Sequence, residues 1–208
     1  MSQIFRIDEM TAQEMAFVAA QIDAGAVAVF PTDTVYGIGT NAFCEESIGR
    51  IYTLKERPAT AALQILVGNV EQAKKVVTWP DAAEKLAQAF WPGGLTVILP
   101  ANEKGTPLLR GFAGLGLRVP AHAKLAEILT MMQNPLASTS ANKHAMPVIT
   151  EEKILLEFFE GKADIILLGG KCSALASTVI NLSSEPALLR EGAIFRQEIE
   201  KILGLKVK

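Results

Sequence analysis

A run of five apolar residues, at 26–30, ends abruptly at Pro31. An uninterrupted apolar run of this length is typical of a strand buried on both faces, and proline cannot extend the hydrogen bonding of an interior strand. Similar short runs alternate along the chain with stretches of helical periodicity. The further strands are predicted at 63–67, 95–99, 116–119, 135–139, 165–168, 178–182 and 187–189. This alternation predicts an α/β sheet covered by helices.

The helical stretches carry their own start signals. Thr11 and Glu14 form a capping box before an apolar stripe, and Asn69 caps a helix that is predicted to run to about Val77. The other helices are predicted at 45–54, 81–90, 122–132, 150–160 and 196–203. Because too few residues join 178–182 to 187–189 for a helical crossover, the sheet is predicted to contain both parallel and antiparallel pairs.

The composition narrows the class of protein. The chain has 208 residues, of which 50% are hydrophobic and 20% charged, and this predicts one compact domain over residues 1–208. A net charge of −2 argues against a nucleic-acid footprint that covers the whole domain. Cys44 and Cys172 lack metal-site spacing, so no protein metal site is predicted. Low cysteine use, with no signal-peptide pattern and no apolar run of ~20 residues, predicts a cytoplasmic protein without membrane contact.

Polar residues follow the first apolar run directly. Thr32, Asp33 and Thr34 are residue types that commonly cap turns, and this explanation stays open. The carboxyl end of a strand in an α/β sheet is also where ligands bind, which gives the same residues a functional interpretation. Gly37 and Gly39 would then let the backbone approach a ligand closely.

Two cations, Lys55 and Arg57, stand at the end of the helix predicted at 45–54. A solvated helix terminus attracts such residues, because cations interact favourably with the negative end of the helix dipole. The pair is also well suited to phosphate, since lysine is a point charge and arginine a bidentate fork. Arg57 precedes Pro58, which favours an extended conformation that directs the guanidinium away from the helix.

The segment 138–142 offers three hydroxyls and an amide directly after an apolar stretch. A generic Ser/Thr loop is one explanation. In an extended conformation, alternation would place Ser138, Ser140 and Asn142 on one face and create a row of hydrogen-bonding groups.

Three arginines lie near predicted strand ends, namely Arg110, Arg118 and Arg190, and Ser177 opens a strand. Each arginine alone is more often a surface ion pair than a ligand contact. The sequence has no phosphate-binding GxxxxGK[ST] loop and no GxSxG elbow, and its two histidines have no apparent Ser or Asp partners. A nucleophilic triad is therefore not predicted.

Seven motifs occur in a fixed order between residues 26 and 192, and in this order they resemble the YrdC-like family. They are Pro31-Thr32-Asp33-Thr34-Val35-Tyr36-Gly37, Lys55-x-Arg57-Pro58, Trp91-Pro92-Gly93-x-Leu95-Thr96, Arg118-Val119-Pro120, Ser138-Thr139-Ser140-Ala141-Asn142, Ser177-Thr178-Val179 and Arg190-x-Gly192. The resemblance implies a single-domain twisted mixed sheet with flanking helices and a large, positively lined concavity.

The resemblance also implies an activity. Synthases of the family form L-threonylcarbamoyladenylate and pyrophosphate from L-threonine, bicarbonate or CO2, and ATP, with Mg²⁺ accompanying the nucleotide. The product supplies the threonylcarbamoyl transferase machinery that modifies adenosine in tRNA. The alternatives are a non-catalytic binder of double-stranded RNA or nucleotides, and a carbamoyl-adenylate-forming enzyme with another acceptor.

Site residues follow from the motifs by this resemblance. Those expected to face ATP are Lys55, Arg57, Ser140, Asn142 and Arg190, with Lys55 and Arg57 as the catalytic cations. Those expected to face threonine are Thr34, Arg118, Ser138 and Ser177, with Arg118 suited to the carboxylate. The chain departs from the family at Ala61 and, after Asn142, at His144-Ala145 and Pro147-Val148.

Overall fold

The computed structural model describes residues 1–56, 58, 61–143, 146–173 and 175–208. The strands of the described chain are β1 Gln3–Arg6, β2 Ala28–Phe30, β3 Gly37–Asn41, β4 Gln64–Leu66, β5 Leu95–Leu99, β6 Leu115–Arg118, β7 Leu136–Ser140, β8 Ile165–Leu168, β9 Thr178–Asn181 and β10 Ala187–Arg190. The helices are α1 Ala12–Asp23, α2 Glu45–Lys55, α3 Val70–Lys74, α4 Asp81–Phe90, α5 Ala123–Met131, α6 Glu152–Phe159 and α7 Arg196–Leu203, with short 3₁₀ turns at Ile7–Glu9 and Thr106–Leu109.

The described strands form one sheet in the order β1-β8-β2-β3-β7-β4-β6-β5-β9-β10. Strand β8 is parallel to β1 and β2, β4 is parallel to β6, and β5 is parallel to β9. The remaining pairs are antiparallel, including β9 with β10. The predicted mixed α/β sheet is therefore confirmed.

The central strands bury one face completely. Ile65, Val97 and Leu117 point to this face and pack in one core cluster with Leu86 of α4 and Ile199 of α7. Burial of such aliphatic side chains contributes roughly 1.5–3 kcal/mol each to folding. This cluster holds the central strands in place, and with them the side chains on the opposite face of the sheet.

The opposite face is covered along only part of its length. Leu66 and Leu136 are one pair in the β4–β7 register, and they pack in a second cluster with Val18 of α1 and Ile128 of α5. Two residues away from this pair, at Gln64 on β4 and Ser138 on β7, helices α1 and α5 no longer cover the face. Because side chains alternate along a strand, Gln64 and Ser138 lie on this same face, at its open end.

Two strands were absent from the sequence prediction. β1 is a four-residue edge strand that pairs with β8, and β3 contains Gly37 and Gly39, which weaken any strand signal. A Cβ at Gly37 would lie 2.6 Å from the Phe30 ring, and one at Gly39 would lie 2.7 Å from the Ala137 carbonyl oxygen. Close packing within the sheet therefore requires these two glycines, and their part in the approach of a ligand remains a prediction.

The two helix starts predicted from capping groups are confirmed. Thr11 and Glu14 form a reciprocal capping box, and the Asn69 side chain accepts from the Gln72 amide at 2.9 Å. The helix after Asn69 ends at Lys74 and not at Val77, because Val77 instead forms an antiparallel bridge with Ala101.

Candidate active site

A cavity of about 510 Å³ opens on the uncovered part of the sheet face. A volume of this size is typical of small-molecule and cofactor sites. Its lining includes every predicted threonine-facing residue, Thr34, Arg118, Ser138 and Ser177, together with Ser140 and Arg190 from the predicted nucleotide side. Strands β6, β7 and β10 and the segment before β9 supply most of these side chains, so residues far apart in the sequence converge on one space.

Arg118 is held by three hydrogen bonds although its side chain is only 4% exposed. Its Nη2 donates to Asp33 Oδ1 at 2.6 Å, its Nη1 to Thr34 Oγ1 at 2.8 Å and its Nε to the Gly93 carbonyl oxygen at 2.8 Å. Burial lowers the pKa of Arg118, the Asp33 carboxylate opposes this shift, and Arg190 adds to it. A guanidinium has five N–H donors, so two of those on Arg118 have no acceptor among the described residues and are available to a ligand.

Arg190 lies at the end of β10 and contacts the residue that precedes β9. Its Nε donates to the Ser177 carbonyl oxygen at 2.9 Å and its Nη2 to Ser177 Oγ at 3.1 Å. Ser177 Oγ shares a further hydrogen bond of 3.0 Å with Thr96 Oγ1. Burial lowers the pKa of Arg190, and no carboxylate in the described part of the chain forms an ion pair with it.

The two arginines give the cavity an excess of positive charge. Arg118 has one carboxylate partner, Asp33, whereas Arg190 is bonded only to neutral oxygens among the described residues. Like charges held near each other in a partly desolvated site are stabilised by an anion between them. The arrangement is thus that of an anion site with hydroxyls around it.

The predicted alternation along 138–142 holds for the residues that lie in β7. Ser138 and Ser140 line the cavity. Asn142 lies beyond the end of β7, outside that lining, and its Nδ2 donates to the Met146 carbonyl oxygen at 2.6 Å. Its Oδ1 accepts from Ser140 Oγ at 2.5 Å. Asn142 therefore orients Ser140 and closes a turn, and the single face predicted for all three residues is formed by two of them.

Lys55 is the last residue of α2 and is buried, with 2% of its surface exposed. Its ammonium donates to the carbonyl oxygens of Ser140 and Asn142. Lys55 therefore fixes the carboxyl end of β7 through its main-chain oxygens. It is not one of the residues that line the cavity. Its predicted contact with a nucleotide remains a prediction. Arg57, His144 and Ala145 lie outside the described residues.

Three other residues singled out from the sequence lie in the described part of the chain. Arg110 pairs with the exposed Glu45 at 2.8 Å and lies at the rim of the cavity, as the ion-pair interpretation anticipated. At the position of the family departure, Ala61 offers its carbonyl oxygen to the Tyr52 hydroxyl at 2.8 Å, while Val148 lines the cavity.

Sequence reasoning missed three residues of the site. Asp33 appeared only as part of a turn motif, Thr96 only as the end of another motif, and Gln64 not at all. Thr96 alternates with buried Leu95 and Val97, so its strand position was a usable signal. Asp33 and Gln64 had no local signal, because Asp33 bonds to an arginine 85 positions away and the strands beside Gln64 come from distant parts of the sequence.

The described residues contain neither a candidate metal site nor a candidate membrane-spanning helix. Its acidic, cysteine and histidine side chains do not gather in groups of three or more that could hold a metal. Its helices are all too short or too polar to cross a bilayer.

Comparison with known proteins places this geometry in a family. The sequence model of the Sua5/YciO/YrdC family, described as telomere recombination, matches residues 20–192. The chain belongs to this family. It is 37% identical over 206 residues to the threonylcarbamoyl-AMP synthase of Pyrococcus abyssi, covering 96% of this chain and 59% of that protein. It is 30% identical over 204 residues to the Bacillus subtilis protein of the same name, covering 95% of this chain and 59% of that protein.

Solved structures agree with the fold. The structure of P. abyssi Sua5 complexed with L-threonine superposes with a TM-score of 0.91 at 34% identity, over 100% of this chain and 63% of that one. Escherichia coli YciO superposes with a TM-score of 0.87 at 23% identity, over 96% of this chain and 100% of that one, which shows the fold alone. The chain spans about three fifths of the length of the P. abyssi and B. subtilis synthases.

Proposed function

We propose that this chain catalyses the formation of L-threonylcarbamoyladenylate from L-threonine, bicarbonate or CO2, and ATP, with release of pyrophosphate. The observation that carries the proposal is the pair of guanidiniums, the buried Arg118 and the more exposed Arg190, that line one cavity and have one carboxylate partner among the described residues. Relatives named threonylcarbamoyl-AMP synthase support it, as does the relative that was solved with L-threonine.

The amino acid belongs at the Arg118 side of the cavity. Two guanidinium N–H groups of Arg118 have no acceptor in the described part of the chain and are available to a carboxylate, while Asp33 and Thr34 hold the plane of the guanidinium. The hydroxyls of Ser138 and Ser177 add donors and acceptors for the polar groups of threonine. A hydroxyl-bearing substrate is well matched to such a site, because buried hydrogen-bonding groups discriminate strongly against analogues that leave them unpaired.

The nucleotide belongs at the side of Arg190 and Ser140. Three of the five N–H donors of Arg190 have no acceptor among the described residues and are available to phosphate oxygens, and Ser140 is oriented by Asn142. Lys55 and Arg57 complete this side of the proposal as the cations that offset charge on the α-phosphate and the leaving pyrophosphate. Mg²⁺ would accompany ATP, coordinated mainly by phosphate oxygens, because the described residues offer no carboxylate cluster for it.

The chemistry requires no nucleophilic side chain. The amine of threonine adds to CO2 and loses a proton, which gives a carbamate. A carbamate oxygen then forms a bond to the α-phosphorus of ATP as the bond from that phosphorus to the bridging oxygen of pyrophosphate breaks. The residues of the cavity hold both reactants in line and neutralise the developing charge. The product would then serve the threonylcarbamoyl transferase machinery that modifies tRNA.

The test is pyrophosphate release from ATP, Mg²⁺ and bicarbonate with each of the twenty amino acids in turn. Release that depends on threonine, and falls when bicarbonate and CO2 are removed, is the expected result. Equal release with several amino acids would contradict the assignment of threonine. No release with any amino acid, from a folded protein that binds RNA, would favour a non-catalytic binder.

A further inference from the structure

Gln64, a residue that lines the cavity, has an amide nitrogen with no hydrogen-bond partner in the described protein. Gln64 opens β4, and its side chain lines the cavity. Its Nε2 is buried and finds no acceptor among the described residues. An amide nitrogen carries two donors, and leaving a buried donor unpaired is destabilising, so native proteins seldom do so without a reason.

The surroundings of Gln64 indicate the substrate that it faces. Gln64 of β4 pairs with Ser138 of β7. Ser138 Oγ donates to the main-chain carbonyl oxygen of Gln64 at 3.4 Å. On the other side of β4 lies β6. Leu66, two residues after Gln64 on β4, pairs with Arg118 of β6. Gln64 thus lies between the two strands that carry Ser138 and Arg118, both on the amino-acid side of the proposed site.

The charge of the site explains why an amide is useful here. Arg118 already brings one cation to this side, and a second would have to be desolvated as well. A neutral amide donor adds a hydrogen bond to an oxygen without adding charge. It also distinguishes a ligand that carries an acceptor at this point from one that does not.

We propose that Gln64 determines specificity on the amino-acid side of the cavity, with Nε2 donating a hydrogen bond to an oxygen of bound L-threonine or of the carbamate formed on its amine. The proposal rests on the proposed function, because it assigns Gln64 to one of the substrates of that reaction. A ligand-binding role and a structural role for Gln64 predict different effects on stability. A buried donor that is paired only by the ligand lowers the free energy of unfolding of the ligand-free protein, whereas a structural hydrogen bond raises it.

The substitution Gln64→Met separates the two roles, because methionine has a similar length and no donor. In the ligand-free protein it removes an unpaired buried group, so the melting temperature is expected to rise. Threonine binding, measured calorimetrically with bicarbonate present, is expected to weaken about tenfold, as for the loss of one hydrogen bond. ATP binding in the absence of threonine is expected to stay within about twofold of wild type.

Gln72→Met is the matched control. The Gln72 side chain is fully engaged, with Oε1 accepting from the Gly68 amide at 2.7 Å and Nε2 donating to the Leu129 carbonyl oxygen at 3.0 Å. Its loss is expected to lower the melting temperature and to leave threonine affinity unchanged. Opposite shifts in melting temperature for the same substitution at two glutamines would support the proposal.

Other outcomes decide against it. If the wild-type protein does not bind threonine with or without ATP, both the proposed function and this inference fail. If the wild-type protein binds threonine and Gln64→Met binds it equally well, or loses threonine and ATP affinity alike, only this inference is wrong. Should Gln64→Met not fold, Gln64→Glu retains the shape, replaces the donor by a carboxylate, and is expected to weaken threonine binding at least as strongly.

Discussion

The Asp33 carboxylate accepts a 2.6 Å hydrogen bond from Nη2 of Arg118, a residue 85 positions away in the sequence. The same carboxylate oxygen accepts from the Ala121 amide at 3.0 Å, so it also fixes the chain just after β6. Asp33 thereby holds both the charge and the orientation of the guanidinium that faces the cavity. We infer that it acts as a positioning residue for the arginine.

We predict that Asp33→Asn raises the KM for threonine about tenfold or more while the KM for ATP changes by less than about twofold. The amide keeps the shape of the side chain but removes the charge that compensates Arg118, and breaking a mostly buried pair costs about 3 kcal/mol in stability. Pyrophosphate kinetics and urea unfolding measure the two effects. Glu45→Gln, at the exposed Arg110 pair, is the control and is expected to cost about 1 kcal/mol or less. Equal changes in both KM values would contradict the positioning role.

The two cavity arginines are predicted to separate the substrates. Arg118→Ala is expected to raise the threonine requirement most, because it removes the fork that faces the carboxylate. Arg190→Ala is expected to raise the ATP requirement most, because its donors face the phosphates. Steady-state pyrophosphate release at varied concentrations of each substrate checks this, with Arg50→Ala, an exposed arginine paired with Asp164, as the control. A rise in the ATP requirement alone for Arg118→Ala would show that the site has been divided wrongly.

Removal of either predicted catalytic cation is expected to slow the chemical step. Lys55→Ala and Arg57→Ala should each reduce single-turnover pyrophosphate release by about 10²–10³-fold, the usual effect of losing one preorganised charge. Lys55→Ala should in addition loosen the turn after β7, since the ammonium binds the Ser140 and Asn142 carbonyl oxygens. Circular dichroism verifies the fold, and Lys143→Ala, at an exposed pair with Glu56, is the control. Turnover like that of wild type in both variants would overturn the assignment of these cations.

Tyr36 gives a prediction for pH. Burial raises the pKa of its hydroxyl to about 12, against an opposing contribution from the Gly169 amide. The hydroxyl donates to the Gly170 carbonyl oxygen at 2.7 Å and accepts from the Gly169 amide at 3.1 Å. Because the folded pKa lies above the ordinary value of 10.0, this contribution to stability is complete below pH 10 and is lost as the pH rises through about 12.

The measurement is the difference in unfolding free energy between wild type and Tyr36→Phe across this range. The difference is expected to be constant up to about pH 10 and to shrink above it. Ultraviolet absorbance of tyrosinate should show one of the two tyrosines ionising late. A difference that grows between pH 10 and pH 12 would contradict the predicted sign.

Much of the fold was predictable because its signals are local. The period of the apolar residues gave α2, α4, β5 and β8 within a residue of their observed bounds, and the capping groups of Thr11 and Asn69 marked helix starts correctly. β3 was not predictable in this way. Its glycines suggest a loop when considered alone, and they form a strand because β2 and β7 supply hydrogen bonds on both sides.

The same division holds for the site. The α/β class and the residues that bear hydroxyls and cations were predictable without the structure, since these depend on composition and on spacing over a few positions. Three relationships became visible only in the folded chain: Asp33 pairs with Arg118, Asn142 orients Ser140 from outside the cavity, and the Gln64 amide nitrogen has no partner among the described residues. Each of these three relationships depends on which strands lie side by side and on what covers them. The free energy that stabilises such an arrangement comes from contacts between distant segments of the chain.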